Sequence, residues 1–233
     1  MRHGAIFHSL VIAGLFTLTA NSALASDIEQ YLNSEGVEVY QSSQNAELSS
    51  LNLTTLITNQ GVIYVDKEKG VFLTGATPLK LTDNSLSLVS QADFKRYIDT
   101  IPNKIVHKAE NEKAVVQMFT DISCGWCQKV HENIDDYTQA GITIEFMLYP
   151  RYGLTDTTAK TMSTIAESTA PYMLLQAAFK GEYIAGSEIS PVVQEHFKAG
   201  RALGVGGTPA FFIKGYPFEG YLTPKQILAA YAN

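Results

Sequence analysis

The chain has 233 residues, of which 45% are hydrophobic and 17% are charged. This composition excludes a disordered, collagen-like or multi-pass membrane protein, and the length allows one large domain or two small ones. Acidic residues outnumber Lys and Arg by 23 to 17, and no basic run is present, so nucleic acid is not an expected partner.

Residues 1–25 have the pattern of a secretory signal peptide. Arg2 is their only formally charged side chain, an apolar run follows over 10–16, and Ala23-Leu24-Ala25 has the A-x-A form of a cleavage site. The apolar run is well below the roughly 20 residues that a membrane span needs. We therefore predict export with cleavage near Ala25 and no membrane insertion afterwards, which places the rest of the chain in an oxidising compartment.

Residues 26–88 predict a short helix followed by a strand meander. The runs 53–58 and 62–65 are strand-prone and are separated by a Gly-containing turn, and a second turn over 66–70 precedes the strand-like 71–73. About 60 residues bury only a marginal core, so this small α+β unit is expected to need a partner surface. That surface is either a second copy of the chain, which we favour, or the rest of the same chain.

Residues 89–103 predict a linker helix. Ser90 and Asp93 come close to a capping-box pattern at its start, and Pro102 ends it. The spacing i, i+3, i+4, i+7 gives the apolar stripe of an amphipathic helix, which consists of Phe94, Tyr97, Ile98 and Ile101.

The two cysteines, Cys124 and Cys127, are separated by only two residues. A disulfide between them closes so short a loop that it is worth roughly 2 kcal/mol on the loop-entropy model, so a purely structural bridge is a poor use of the chain's only thiols. Zinc needs four ligands as a rule, and only His131 could add a third here. Haem attachment requires His after the second cysteine, where Gln128 stands.

The flanking sequence favours a redox dithiol. Residues 114–120 form an apolar, β-prone run that predicts a buried strand, and a helical pattern follows the dithiol. We interpret Ser123 as the N-cap, so that Cys124 lies in the first helical turn, where unpaired amide groups and the helix dipole stabilise a thiolate. Cys127, one turn further on, is then the resolving thiol. The predicted apolar stripe of this helix consists of Trp126, Val130, Ile134 and Tyr137.

A glycine-rich segment far along the chain fits the same site. Residues 203–209 end in Thr208-Pro209 and lead into the strand-like run 210–213, at whose entrance proline has no amide donor to lose. Taken alone, this motif predicts an ordinary trans proline. Helix starts are predicted on either side of it, at Ser190-Pro191 and at Thr223-Pro224-Lys225-Gln226.

Together, the strand, the Cys-x-x-Cys helix and the Gly-Thr-Pro-strand segment resemble the thioredoxin fold, in which this proline is cis and faces the dithiol. The sequence is similar, more closely, to the DsbC family of periplasmic thiol:disulfide isomerases, and the similarity covers nearly the whole chain after the signal peptide. The segments that carry it are 56–65, 107–109, 119–127, 141–143, 149–151 and 203–210.

The resemblance implies an α/β protein with two units. A thioredoxin-like catalytic domain occupies 104–233, with a helical insertion at about 155–200, and the unit over 26–88 serves as a dimerisation domain joined by the linker helix. Catalysis is assigned to Cys124 and Cys127, which alternate between a dithiol and a Cys124–Cys127 disulfide. The implied substrate-binding and supporting residues are Gly125, Trp126, Thr208 and Pro209.

The implied activity is the rearrangement of non-native disulfides in misoxidised exported proteins of the periplasm. No metal or other cofactor is expected, and a membrane reductase of the DsbD type is the implied electron donor, because isomerisation starts from the reduced dithiol. Two other functions stay open: a net dithiol oxidant, and a holdase chaperone whose dithiol is incidental.

Three features depart from related patterns. The family's second, structural disulfide is absent, since the chain has no cysteine outside the dithiol, and Trp126 stands where the family usually has Tyr. Met118 stands where thioredoxins bury an acid, which DsbC-like proteins also lack. Two neighbouring residues are predicted to have ordinary roles: Asp121 as a solvated loop carboxylate and His131 as a surface or packing residue rather than a base.

Overall fold

The computed structural model describes residues 23–82 and 85–232. Most of the predicted signal peptide therefore lies outside the described residues, and its last three residues are the first three of helix α1. The N-terminal part contains an antiparallel sheet in the order β1-β2-β3-β4. Its elements are α1 (Ala23–Ser34), β1 (Val39–Ser43), α2 (Ala46–Ser49), β2 (Leu53–Thr58), β3 (Gly61–Asp66) and β4 (Val71–Thr74).

Strands β2, β3 and β4 lie where the sequence predicts them. Thr58 pairs with Gly61 across the tight β2–β3 turn, and the Thr58 hydroxyl donates to the Gly61 carbonyl at 2.7 Å. Two further strands, β5 (Leu79–Thr82) and β6 (Ser85–Leu88), pair with each other in a separate two-stranded sheet.

The predicted linker helix is α3 (Gln91–Thr100), and Pro102 follows its end. The capping-box prediction is wrong: Ser90 precedes the helix but makes no side-chain cap, because its hydroxyl is buried and bonded to the Tyr64 phenol at 2.5 Å. The Asp93 carboxylate instead accepts from Asn45 and Arg96. Ser90 is therefore bonded to β3, and Asp93 is bonded to Asn45 and to Arg96 of its own helix.

The remainder of the chain forms a five-stranded sheet in the order β11-β10-β8-β9-β7, with β8 and β9 parallel and the other neighbours antiparallel. The strands are β7 (Ile105–His107), β8 (Ala114–Thr120), β9 (Ile142–Leu148), β10 (Ala210–Ile213) and β11 (Tyr216–Glu219). The helices are α4 (Gly125–Glu132), α5 (Ile134–Gln139), α6 (Thr157–Ala166), α7 (Pro171–Phe179), α8 (Pro191–Ala202) and α9 (Pro224–Ala232).

Strand β8 is buried on both faces, as its continuous apolar run predicts. Val116 and Met118 point into one core, which α4, α5, α6, α7 and α9 cover. Phe119 points to the opposite side, where α3 and α8 cover a second core with Phe212. The period-two alternation of a strand therefore places helices on both sides of the sheet, with β8 at its centre.

Both predicted helix starts in this part of the chain are confirmed. The Ser190 hydroxyl accepts from the Val193 amide at 3.2 Å at the start of α8. At α9, the Thr223 amide donates to Gln226 Oε1 at 2.9 Å and the Gln226 amide donates back to the Thr223 hydroxyl, which is the reciprocal pattern of a capping box.

The N-terminal sheet packs against the rest of the same chain. Among the described residues, the hydrophobic cluster between α1 and this sheet contains six buried side chains, while Ile57 belongs to the core that α3 and α8 cover. Tyr40 stacks on Tyr97 of α3 with their ring centroids 6.2 Å apart. Of the two partner surfaces considered from the sequence, the rest of the same chain was the less favoured one, and this contact corresponds to it. Dimerisation with a second copy stays a prediction.

A close approach at the β10–β11 turn leads to a stability prediction. Gly215 has a φ of 86°, and a Cβ there would meet the Gln91 carbonyl and lie 2.8 Å from the Lys95 amide of α3. Gly215→Ala is therefore expected to cost about 2 to 4 kcal/mol, because overpacking and a left-handed backbone both penalise it. Urea unfolding measures this loss.

Gly220→Ala is the matched control for that variant. Gly220 also has a φ of 86°, but an added Cβ would meet nothing within 4 Å. Only the backbone penalty of about 1 kcal/mol is expected there. Equal losses in the two variants would contradict the close approach between the turn and α3.

Candidate active site

The dithiol lies at the junction of the central strand and helix α4. Strand β8 ends at Thr120, a loop follows, and Cys124 is the N-cap of α4 with φ −95° and ψ 115°. The prediction that Ser123 caps the helix is wrong, because the Ser123 hydroxyl donates to Asp121 Oδ1 at 2.7 Å. Cys124 still lies at the positive end of the helix dipole, where a thiolate is stabilised.

The helix after the dithiol is shorter than the sequence pattern suggests. It ends at Glu132, and α5 begins after Asn133. Val130, Ile134 and Tyr137 of the predicted stripe are buried, but Trp126 is 59% exposed, so its place in that stripe is wrong. The helical spacing of apolar residues alone does not distinguish an aromatic side chain in the core from one that faces solvent next to the dithiol.

Both sulfurs are free thiols, and their surroundings separate their acidities. Burial acts to raise the pKa of Cys124, but the neighbouring polar groups of Thr208 and Cys127 together with the charge of Arg151 leave it below its ordinary value. Burial raises the pKa of Cys127 to about 12. Near neutral pH, Cys124 is therefore the far better nucleophile of the two.

The Thr208-Pro209 segment faces the dithiol. The Thr208–Pro209 peptide bond is cis, as the resemblance implies. The Cys124 thiol donates to the Thr208 carbonyl oxygen with a sulfur to oxygen distance of 3.1 Å. Gly125 begins α4 beside this contact, with open space where its side chain would be. The structure thus brings together Cys124, Cys127, Gly125, Trp126, Thr208 and Pro209 around one thiol pair.

Asp121 is a buried part of this site, which corrects the prediction of a solvated carboxylate. It is fully buried, and its Oδ1 accepts from the Ser123 amide and hydroxyl, both at 2.7 Å. Its Oδ2 accepts from the Arg151 amide at 2.9 Å and from Arg151 Nε at 3.1 Å. The sequence does not predict this pair, because Arg151 comes from the loop after β9, 30 residues further along the chain.

Trp126 forms an exposed cluster with two neighbours beside the dithiol. Its ring centroid lies 6.1 Å from that of Tyr221, and Lys129 Nζ lies 5.3 Å from the Trp126 ring and 4.9 Å from the Tyr221 ring. A lysine between two aromatic faces is attracted by both ring quadrupoles. The rings are therefore held in place next to the opening of the site.

His131 is a packing residue, as one of the two predicted options states, and it is not at the surface. Its ring stacks on Phe179 and Phe146, at centroid distances of 4.0 and 4.5 Å. Burial lowers the pKa of His131 to about 3, so the ring is neutral near physiological pH. Met118 is fully buried at the position where thioredoxins carry an acid, so no carboxylate is present at that point.

No group of three or more His, Cys, Asp or Glu side chains within the described ranges 23–82 and 85–232 is arranged to hold a metal ion. No helix in these ranges is long and apolar enough to cross a membrane.

Comparison with known proteins first defines the class. Residues 101–233 match the family model of a thioredoxin-like domain. A linker-deletion mutant of ScsC from Proteus mirabilis has a similar fold, with a TM-score of 0.50 at 17% identity, over 61% of this chain and 81% of that one. The strand, the dithiol helix and the cis-proline segment thus belong to a thioredoxin-like domain, and the predicted α/β fold of this part is confirmed.

Relatives over the whole length then define the family. The thiol:disulfide interchange protein DsbC of Dickeya dadantii is 31% identical, over 94% of this chain and 93% of its own. The protein of the same name from Escherichia coli K12 is 32% identical, over 91% and 92% of the two chains. The chain belongs to the DsbC family and is a thiol:disulfide interchange enzyme of the disulfide isomerase type.

Proposed function

We propose that Cys124 is the attacking thiol and Cys127 the resolving thiol of an isomerase that rearranges non-native disulfides in exported proteins. The Cys124 thiolate attacks one sulfur of a substrate disulfide, so that a Cys124–substrate disulfide forms and the other substrate sulfur leaves as a thiolate. That thiolate then attacks a different substrate disulfide, and reattack on the mixed disulfide returns Cys124 unchanged.

A second route releases stalled substrates. Cys127 attacks Cys124 of the mixed disulfide, the Cys124–Cys127 disulfide forms, and the substrate sulfur leaves with the electron pair. The substrate is then reduced by two electrons and the enzyme is oxidised by two. Renewed isomerisation needs an external dithiol reductant, for which we propose a membrane reductase of the DsbD type.

The order of the two thiols is the observation that carries this proposal. Cys124 has a lowered pKa at a helix N-terminus, while burial raises the pKa of Cys127 to about 12. A nucleophile needs thiolate character and access, whereas a resolving thiol acts only once the mixed disulfide is within its reach. The two environments fit these two roles in this order.

Substrate recognition is proposed to involve the backbone on one side of the dithiol and an aromatic side chain on the other. Main-chain pairing beside Thr208 and Pro209 is tolerant of sequence, as suits an enzyme with many substrates. The exposed Trp126 ring offers apolar surface to the same substrate segment. Gly125 keeps the space between them open.

We further propose that the protein acts as a homodimer in the periplasm after removal of residues 1–25. Strand β4 ends the order of the N-terminal sheet, so its outer edge has no strand partner among the described residues. Its Val71 and Leu73 side chains are 48% and 42% exposed, and Leu81 of β5 is 70% exposed. An edge with exposed apolar side chains is a typical surface for pairing with a second chain.

Replacement of each cysteine tests the assignment of roles. Cys127→Ala expressed in the exporting cell is expected to accumulate mixed disulfides with multi-cysteine proteins, because the resolving thiol is missing. These adducts are measured on non-reducing gels after acid quenching of thiols. Cys124→Ala, the matched control, is expected to form none, and adducts in equal amounts from both variants would contradict the proposed order.

The redox state in the cell separates isomerase from net oxidant. An isomerase is expected mostly as the Cys124–Cys127 dithiol, since only the reduced form starts the exchange. An oxidant is expected mostly as the disulfide. Thiol alkylation with a mass-shifting reagent after acid quenching reads the ratio directly.

A further inference from the structure

Lys129 is an exposed cation that two aromatic rings hold beside the dithiol. It lies on α4 about one turn after Trp126, and its side chain reaches back towards the start of the helix. Its Nζ lies 5.3 Å from the Trp126 ring and 4.9 Å from the Tyr221 ring. Both ring faces attract an ammonium ion, but neither provides the charged oxygen of an ion pair.

Lys129 forms no ion pair with a carboxylate of the described residues. Three carboxylates of neighbouring segments have other surroundings. Asp121 is buried and its oxygens accept four hydrogen bonds, and Glu132 accepts from a glutamine of its own helix at 2.9 Å. Glu219, at the end of β11, lies beside Gly206, where an added Cβ would be 3.5 Å from its Oε1. The Lys129 ammonium group is therefore available to an incoming carboxylate.

The two rings that hold this cation belong to the two segments that enclose the dithiol. Trp126 lies between the two cysteines in the sequence, at the start of α4. Tyr221 follows Gly220, whose amide donates to the Pro209 carbonyl oxygen at 2.8 Å. A substrate segment that pairs beside Pro209 and brings its sulfur to Cys124 therefore passes next to the cluster of Trp126, Tyr221 and the lysine.

A second cation near the dithiol, Arg151, differs from Lys129 in having its charge already paired. Its guanidinium donates to the Ser123 hydroxyl at 3.2 Å and lies 5.4 Å from the Tyr152 ring. Its Nε donates to the buried Asp121 carboxylate at 3.1 Å, which offsets its charge. Lys129 is therefore the unpaired positive group at this opening, in a chain whose net charge is −6.

We propose that Lys129 is a specificity-determining residue that favours substrate segments with an acidic side chain next to the reacting cysteine. This inference rests on the proposed function, in which Cys124 attacks the substrate disulfide. A carboxylate beside the substrate sulfur pairs with the Lys129 ammonium group, which the rings of Trp126 and Tyr221 hold in place. Because an exposed ion pair contributes modestly, the expected preference is about threefold in rate.

Stopped-flow reactions of the reduced protein with three short peptides test this preference. The peptides differ only in whether Glu, Gln or Lys flanks their single cysteine, which is blocked as a 2-pyridyl disulfide. Cys124 Sγ bonds to the peptide sulfur, the bond to the pyridyl sulfur breaks, and that sulfur leaves with the electron pair and gains a proton as 2-thiopyridone. At low ionic strength, the Glu peptide is expected to react about threefold faster than the Gln peptide and the Lys peptide more slowly than either. Salt at about 1 M should remove these differences, because it shortens the Debye length to about 3 Å.

Three variants assign the preference to one side chain. Lys129→Gln is expected to bring the rate ratio of the Glu and Gln peptides to about one, while the Gln peptide itself changes by less than about twofold. Lys129→Arg keeps the positive charge and is expected to keep the ratio. Lys214→Gln is the matched control, because Lys214 Nζ also lies over an aromatic ring, 4.8 Å from that of Tyr231. The four-residue strand β10 separates Lys214 from Pro209, so this variant is expected to keep the ratio of the parent protein.

The outcomes distinguish this inference from the proposed function. Equal rates of the Glu and Gln peptides in the parent protein would overturn the inference, and so would an unchanged ratio in Lys129→Gln. Equal slowing of all three peptides in that variant would also overturn it, because the charge would then act on the enzyme thiol and not on the substrate. If Cys124→Ala releases 2-thiopyridone at the parent rates, the assignment of the attacking thiol fails instead.

Discussion

Replacement of Asp121 by Asn is expected to lower the free energy of unfolding by about 3 kcal/mol, the scale found when one partner of a buried ion pair is removed. The Asp121 carboxylate is fully buried and accepts four hydrogen bonds, two from Ser123 and two from Arg151. An asparagine side chain has only one acceptor oxygen. Its NH2 group would take the place of the other carboxylate oxygen, so that its hydrogens would point at the N–H or O–H groups of Ser123 or Arg151. Urea unfolding of parent and variant measures the difference.

The same substitution is expected to make the Cys124 thiol less acidic. Arg151 is held by Asp121 through both its amide and its Nε, and its charge is one of the causes that lower the pKa of Cys124. Release of the guanidinium weakens that contribution, so the pKa of Cys124 rises. The rate of alkylation by iodoacetamide as a function of pH reports this pKa directly.

Asp93→Asn is the matched control for both measurements. Asp93 is also a fully buried carboxylate, and it pairs with Arg96 at 3.0 Å on helix α3. A loss of stability is again expected, because this carboxylate accepts from both Asn45 and Arg96. The Cys124 alkylation profile should not move, and an equal shift in both variants would contradict a specific link from Asp121 through Arg151 to the thiol.

The sequence predicts an element correctly where one short segment contains all the residues that determine its bounds. Strands β8 and β10 have the predicted bounds because each is a continuous apolar run with clear breaks. The start of α9 is also predicted, because the Thr223 and Gln226 side chains bond each other's backbone within one turn. Such contacts depend on local spacing alone.

The sequence misleads where a polar side chain finds a distant partner. Ser123 has the right type and position for an N-cap, but the buried Asp121 takes its hydroxyl. His131 has no motif around it, and its partners Thr120 and Gln176 come from a strand and from a helix of the insertion. Neither the spacing of apolar residues nor the helix and strand propensities predict these partners, because the contacts form only when the elements pack together.

The acid side of the stability curve is expected to be steep because two buried histidines are neutral in the folded protein. Burial lowers the pKa of His131 to about 3 and that of His196 to about 4. In the unfolded chain both titrate near 6.5, so the unfolded state binds more protons between about pH 6.5 and pH 4. Stability is therefore full above about pH 6.5 and falls with pH through this window, by about 3 kcal/mol for each histidine.

The geometry around His196 shows why its folded form resists protonation. Nδ1 accepts from the Leu148 amide at 3.1 Å, and Nε2 donates to the Pro102 carbonyl at 3.0 Å. A hydrogen on Nδ1 would point at the Leu148 N–H, so the charged ring would lose one bond and face a like dipole. Chemical denaturation at pH 7, 6, 5 and 4.5 gives the free energy of unfolding as a function of pH. The slope of this function counts the extra protons that the unfolded state binds, and we expect that number to be smaller by about one in His196→Leu. The same slope in parent and variant would contradict the assignment of this proton to His196.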